Sequence, residues 1–200
     1  LHNEKNGKFK DVSESAGILS NTLNLGVTFI DYDHDGDLDL LITRHPDAAG
    51  WSQMFRNNGN GTFTDVTDAI GLEALGSSGA INVVGSDYNN DRAVDLVVPD
   101  QAPAILENPR EGKFPVRKPW PGAMPAAVRG VAVLDFDHDG WMDIVFTHAA
   151  PPGLTLWRNQ KGKSFAAVAL PDLGLREAWG VVALDYDDDG WPDIFVACDS

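Results

Sequence analysis

The chain has 200 residues, of which 43% are apolar, and 30 acidic against 15 basic side chains give it a formal net charge of −15. Nucleic-acid binding is disfavoured, because no basic stripe exists to track phosphates. No apolar run is long enough for a transmembrane helix or a signal peptide, and the single cysteine, Cys198, rules out an internal disulfide.

The first 17 residues read as half of a unit. Leu1-His-Asn3 is followed six residues later by Phe9, with turn formers between, as in a hairpin. Next comes Val-Thr-Phe-Ile, then the acidic nonapeptide Asp31–Asp39, then Leu-Leu-Ile-Thr. Carboxylates at alternate positions with glycine at the sixth (Gly36) can wrap oxygen ligands around one hard cation. The same four charges packed without an ion would repel one another. All-oxygen ligation suits Ca²⁺ or Mg²⁺, and an irregular loop with side chains at positions 1, 3, 5 and 9 and a carbonyl at 7 suits calcium better. Glycine supplies the positive φ of a tight loop. An EF-hand would need a bidentate Glu at position 12 between helices. That position is Ile42, and the flanks are strand-like, so the loop joins two strands.

The pattern then repeats. Phe55-Arg-Asn57 leads through Asn-Gly-Asn-Gly to Phe63; a second nonapeptide spans Asp87–Asp95; Leu106-Glu-Asn108 leads to Phe114. The third nonapeptide is Asp135–Asp143, Trp157-Arg-Asn159 leads to Phe165, and the fourth is Asp185–Asp193. The loops start 56, 48 and 50 residues apart and keep a fixed phase with the Asn-to-Phe hairpin. Gly140 and Gly190 hold position 6 in the later copies, whereas loop 2 has Arg92 there and Asn89 at position 3. Loop 2 is therefore expected to bind more weakly or not at all, since a side chain in the left-handed region costs roughly 1–2 kcal/mol.

One unit is strand, acidic loop, strand, connection, strand, hairpin, outer strand. Four strands per unit of 40–50 residues predict an all-β fold, a β-propeller of four-stranded antiparallel blades. The expected divisions are a half blade at 1–17, blades at 25–72 and 129–175, a degenerate blade at 80–120 and a half blade at 179–200. About four repeats are present, either as a segment of a larger propeller or as a four-bladed ring closed by strand exchange between the termini. Val27, Phe29, Leu41, Val131, Val133, Val145, Val182, Phe195 and the hairpin Phe residues are expected to line blade faces. The six Trp residues are read as blade packing rather than as a ligand cage.

The Asp-x-Asp-x-Asp-Gly-x-x-Asp loops together with the Asn-x-x-Gly-x-Phe hairpins resemble the FG-GAP/VCBS repeat superfamily. Phe63-Thr-Asp-Val-Thr and Phe9-Lys-Asp-Val-Ser look most like its propellers of the cartilage-acidic-protein (ASPIC/UnbV-associated) kind. The resemblance implies a six- to eight-bladed extracellular or periplasmic propeller with calcium between the first two strands of a blade. It implies as ligands Asp31, Asp33, Asp35 and Asp39; Asp135, Asp137, Asp139 and Asp143; Asp185, Asp187, Asp189 and Asp193. The weaker site would use Asp87, Asn89, Asp91 and Asp95, and the position-7 carbonyls would come from Asp37, Ala93, Trp141 and Trp191. Integrin-type Phe-Gly and Gly-Ala-Pro signatures are absent, so an integrin function is not implied.

The four nonapeptides hold 17 of the 30 acids, so four bound Ca²⁺ ions would leave a balance of −7. No nucleophile elbow, phosphate loop or zinc-spaced His/Cys cluster is present. The expectation is a non-catalytic calcium-stabilised module that binds protein partners or acts as a scaffold in an extracytoplasmic assembly. The competing class is a propeller enzyme or lectin acting on carbohydrate, with His45, Asp100 and His148 on the face opposite the loops. His34 and His138, at position 4, are read as outward and solvated. Arg110, Lys113, Arg117 and Lys118 crowd around Trp120; they read either as edge protection or as a docking patch for an acidic protein anchored by Trp120.

Overall fold

A computed structural model describes residues 1–19, 22–45, 52–75, 82–100 and 102–199. In chain order the elements are β1 (His2–Asn3), β2 (Phe9–Lys10), α1 (Ser13–Ala16), β3 (Asn24–Ile30), β4 (Asp39–Arg44), β5 (Gln53–Asn57), β6 (Phe63–Asp65) and α2 (Thr67–Ile70). After a 3-10 turn at Leu72–Leu75 come β7 (Val84–Ser86), β8 (Asp95–Val98), β9 (Ala104–Leu106) and β10 (Val116–Arg117). The chain then runs through β11 (Val128–Leu134), β12 (Asp143–His148), β13 (Leu154–Asn159), β14 (Phe165–Val168), β15 (Glu177–Leu184) and β16 (Asp193–Asp199).

The strands form three antiparallel four-stranded sheets in sequence order: blade 1 (β3-β4-β5-β6), blade 2 (β7-β8-β9-β10) and blade 3 (β11-β12-β13-β14). The pairs β1-β2 and β15-β16 are separate two-stranded sheets. This is the all-β, four-strand-per-unit architecture the repeat predicts, with every acidic loop between the first two strands of its sheet.

Strands in the middle of the array are apolar on both faces because each face meets a different neighbour. In β8, Leu96 and Val98 enter a core shared with blade 1 through Ile30, Leu41 and Met54, while Val97 enters one shared with blade 3. In β12, Ile144 and Phe146 face blade 2 and Val145 faces β15 and β16. Leu41, Val131 and Val145 are buried and Val133 is partly so, as the repeat predicts. Val27 (62% exposed), Phe29, Val182 and Phe195 (68% exposed) are not covered, which corrects the expectation for these four. They lie on β3, β15 and β16, the flanks of the described array. Of the hairpin Phe residues, Phe114 and Phe165 are buried, Phe63 is half-buried and Phe9 is exposed.

The innermost strands approach closely. Paired registers slip at Asn24/Gly26, Val128/Gly130 and Ala178/Gly180, so each of these strands carries a bulge beside a glycine. A Cβ on Gly130 would stand 2.8 Å from Thr147 Oγ1 and 3.3 Å from the Trp179 carbonyl of the next sheet.

Candidate metal centres

Each acidic loop is bent by two left-handed residues. Position 6 is one, as the glycines predict: Gly36, Gly140 and Gly190 have φ of 92°, 84° and 92°, and Arg92 adopts the same region at 69°. Position 4 is the other, at His34, Asn90, His138 and Asp188, with φ between 56° and 61°. The signal was in the sequence: Asn, Asp and His are the non-glycine residues that tolerate this region best, and only those three types occur there.

With the backbone so bent, the position-1 carboxylate accepts hydrogen bonds from the loop's own N–H groups. Asp135 Oδ1 takes Asp139 N (3.0 Å) and Oδ2 takes Gly140 N (2.9 Å). Asp185 and Asp87 repeat the pattern, and Asp31 keeps the bond to Gly36 N (3.3 Å). Position 5 accepts from the position-7 N–H in all four loops, at 2.8–3.0 Å. Carboxylate oxygens of positions 1, 3 and 9 converge to within 4.8 Å of one another in loops 1, 3 and 4: Asp31, Asp33 and Asp39; Asp135, Asp137 and Asp143; Asp185, Asp187 and Asp193. Asp35, Asp139 and Asp189 stand outside these trios.

The hairpin Asn explains why the two repeats are locked in phase. Its N–H donates to the position-9 carboxylate at 2.7 Å in each full blade: Asn57 to Asp39, Asn108 to Asp95 and Asn159 to Asp143. Its side-chain amide donates to the position-8 carbonyl of the same blade. In blades 2 and 3 it also reaches back one blade, Asn108 Nδ2 to the Tyr32 carbonyl (2.6 Å) and Asn159 Nδ2 to the Tyr88 carbonyl (2.7 Å). Tyr32 and Tyr88 are position 2 of the preceding loops, so one side chain braces two loops.

Asp39, Asp95 and Asp143 are fully buried. Burial pushes Asp39 and Asp143 up to about 6 and Asp95 up to about 7, against the N–H bonds that hold them down. Burial and the neighbouring Asp35 also raise Asp33. Four buried oxygens of this set have no hydrogen-bond donor among the described residues: Asp31 Oδ1, Asp33 Oδ1, Asp95 Oδ2 and Asp137 Oδ1. Buried anionic acceptors without donors are costly unless a cation faces them. A hard divalent ion fits this all-oxygen set.

Loop 2 differs in its charges. Asn89 replaces a carboxylate and its amide turns to Asp91 Oδ2 (3.1 Å). Asp95 Oδ2 has no donor, whereas the matching oxygens of Asp39, Asp143 and Asp193 accept the position-2 N–H at 3.1–3.2 Å. Arg110 donates to the Asp91 carbonyl at 2.6 Å. In loop 3, by contrast, Arg158 pairs with Asp137 (2.7 Å) and Asp139 (3.2 Å).

The other predicted residues lie away from the acidic trios, except His34 and His138 at position 4 of their loops. His148 is sealed in the protein: Nδ1–H donates to the Ala126 carbonyl (3.0 Å) and Nε2 meets Thr155 Oγ1 (2.8 Å), so it cannot serve an open face. Burial lowers its proton affinity. His45 and Asp100 are half-buried at or just beyond the ends of β4 and β8, away from the loops. Trp120 is half-buried: its ring packs on Phe146, Trp157 and Phe165 and its N–H donates to the Pro103 carbonyl (2.8 Å), the packing role read for the Trp residues. Lys113 pairs with Glu73 and Arg117 with Glu107. His138 is not merely solvated; it stacks on Trp191 of the next loop at 4.1 Å. Trp51 lies outside the described residues.

Successive four-stranded blades with an acidic loop between their first two strands define a β-propeller-type repeat protein. The chain matches the FG-GAP-like repeat over residues 87–146 and 135–196 and belongs to that family. It is 30% identical over 105 residues to cartilage acidic protein 1 of Xenopus tropicalis, covering 50% of this chain and 16% of that protein. To cartilage acidic protein 1 of Homo sapiens it is 29% identical over 146 residues, covering 70% and 22%. The chain thus spans about a fifth of the length of these relatives. Among solved structures it superposes on an Agrocybe aegerita lectin, described as specific for non-reducing terminal N-acetylglucosamine. The TM-score is 0.61 at 21% identity, covering 94% of this chain and 49% of that one. This likeness is one of fold.

Proposed function

We propose that the chain is a non-catalytic, calcium-stabilised propeller module that presents a protein-binding surface within an extracytoplasmic assembly. The observation that carries the metal reading is the set of buried, donor-less carboxylate oxygens in the acidic loops. The residues that would hold the ion are those of positions 1, 3, 5 and 9 with the position-7 carbonyl. Bound there, it supplies charge compensation and cross-links two strands; no reaction is assigned to it.

An extracytoplasmic setting suits weak calcium sites. Extracellular calcium modules commonly bind at about 10⁻⁴–10⁻³ M, concentrations of calcium found outside the cytoplasm. The protein-interaction role rests on membership of a repeat family and on kinship to cartilage acidic protein 1. An enzymatic or sugar site on the opposite face loses support with His148 buried.

The test is a thermal melt in chelator, then after repletion with Ca²⁺ or Mg²⁺. Calcium should raise the melting temperature more than magnesium does. A melt indifferent to both ions would overturn the metal reading.

A further inference from the structure

We propose that the cleft between blades 2 and 3, on the side of the acidic loops, binds an acidic saccharide, a sugar bearing a carboxylate or sulfate. The cleft measures about 590 Å³ and is lined by Tyr88, Glu107, Arg117, Lys118, Gly162 and Lys163. That volume lies within the range of small-ligand sites. In a chain with twice as many acids as bases, the cleft carries three cations and one carboxylate. The inversion of sign is local and concave.

The walls are held in place. Phe165 N donates to the Pro119 carbonyl (3.1 Å), tying the blade 3 hairpin to the segment after β10. Next to it Trp120 is locked into the core, and Tyr88 stacks on Phe165 at 6.0 Å. Gly162 packs on loop 2, so closely that a Cβ there would stand 2.9 Å from Asn89 Cα. At the floor, the Tyr88 hydroxyl donates to Glu107 Oε1, and Arg117 Nε donates to Glu107 Oε2 (2.7 Å). Arg117 keeps further N–H donors, and Glu107 keeps lone pairs. Among the described residues Lys118 and Lys163 have no ion-pair partner.

This donor and acceptor set selects the ligand class. Three cations call for an anionic group, while the Glu107 carboxylate calls for hydroxyl donors beside it. A bare anion satisfies only the first, and a neutral sugar only the second.

The departures from the repeat gather here as well. Glu107 stands where blades 1 and 3 have Arg56 and Arg158, Lys118 lies in the Pro-rich stretch, Pro115 to Pro125, that stands in place of the Asp-Val-Thr ending of blade 1, and Tyr88 belongs to the loop with Arg92 in place of glycine. Blade 2 departs from the repeat at its acidic loop, at the residue before its hairpin Asn and in its outer strand, and these departures meet at one cleft. Natural sequences break local rules at functional sites.

The test is an amide-resolved NMR titration of the whole calcium-loaded chain with galactose 6-sulfate, glucuronate, galactose, inorganic sulfate and a hexaglutamate peptide. Galactose 6-sulfate or glucuronate should move amides at 88, 107, 117, 118, 162 and 163, and bind at least tenfold more tightly than galactose or sulfate. Raising the salt concentration should weaken this binding. Lys118→Gln with Lys163→Gln should reduce it at least tenfold without moving the melting temperature, because neither lysine has a partner to lose. Equal binding of galactose, equal binding of inorganic sulfate, tighter binding of the peptide, or no shift at the cleft would each overturn the proposal. Repeating the titration in chelator separates it from the metal reading, since no proposed contact passes through an ion.

Discussion

Loops 2 and 3 are the same shape and carry different charges. Both have left-handed residues at positions 4 and 6, both fold N–H groups onto the first Asp, and both are braced by a hairpin Asn. Loop 3 converges three carboxylates, one of which, Asp137, pairs with Arg158 together with Asp139 from outside the trio. Loop 2 has an amide at position 3, an arginine at position 6 and a second arginine on its backbone. The comparison shows that the strand pair and the hairpin Asn fix the geometry of the loop, while its demand for a cation is set separately by the side chains hung on it. Loop 2 keeps the form of the others although an amide and an arginine replace two of its repeat residues.

Metal removal should have the largest effect. At ten times Kd each occupied site stabilises by about 1.4 kcal/mol, so three sites contribute about 4 kcal/mol through mass action. For a chain of this size chelation should lower the melting temperature by about 10 °C. Ion release should be reported by Trp141 and Trp191, which occupy position 7 of loops 3 and 4. Loss of Asp137 should cost loop 3 its ion in a calcium titration; if Asn89→Ala costs as much, the distinction between the loops fails.

Removing a brace comes next. Asn159→Ala removes the donor of the buried bond to the Tyr88 carbonyl and of the part-buried bond to the Met142 carbonyl, and should cost about 2–3 kcal/mol in chemical denaturation. Asn57→Ala, which has no bond into a preceding loop among the described residues, should cost about half that. Equal costs would mean that the interblade bond contributes nothing.

Arg92→Gly should stabilise by about 1 kcal/mol by relieving a left-handed side chain. The smaller pair is Asp139→Ala, which should weaken calcium at loop 3, and His138→Ala, which should forfeit only its stack on Trp191, roughly 0.5–1 kcal/mol. Equal losses of calcium affinity would contradict the ligand assignment.

The pH dependence has opposite signs with and without metal. In chelator, Asp39, Asp95 and Asp143 hold protons in the folded state that the unfolded chain releases near 3.8. Their contribution is therefore fullest below that pH, and it is lost as pH rises through about 6 for Asp39 and Asp143 and about 7 for Asp95. With calcium the ion requires the same groups ionised, so affinity should fall between about pH 7.5 and 5.5, first at loop 2. His148 runs the other way: its lowered proton affinity makes its contribution full above about 6.5 and lost on acidification. Calorimetric titrations at three pH values would check these signs.

The blade order, the strand–loop–strand placement and the gathering of acidic side chains in each loop were legible because each is a local pattern repeated in register; that position 5 stands outside the converging trio was not. Exposure was not. Phe29 and Ile30 are adjacent on one alternating strand and equally apolar, and only the neighbouring sheet decides that Ile30 is buried and Phe29 is not. The burial of His148 was hidden for the same reason, since a polar residue near a strand end reads alike whether it points out or is capped by Ala126 and Thr155. The one-turn helices after β2 and β6 could have been read. Asp11 and Asp65 accept the N–H two residues on, and Gly17 and Gly71 end the turn with left-handed φ of 77° and 74°.

Because Asn108 and Asn159 each hold the loop of the blade before their own, the boundary of a metal site does not coincide with the boundary of a sheet. Anyone recombining blades as modular parts, cutting between the last strand of one sheet and the first of the next, would leave the upstream loop with only the brace from its own hairpin. The smallest transferable cassette runs from one acidic loop through the hairpin of the next blade.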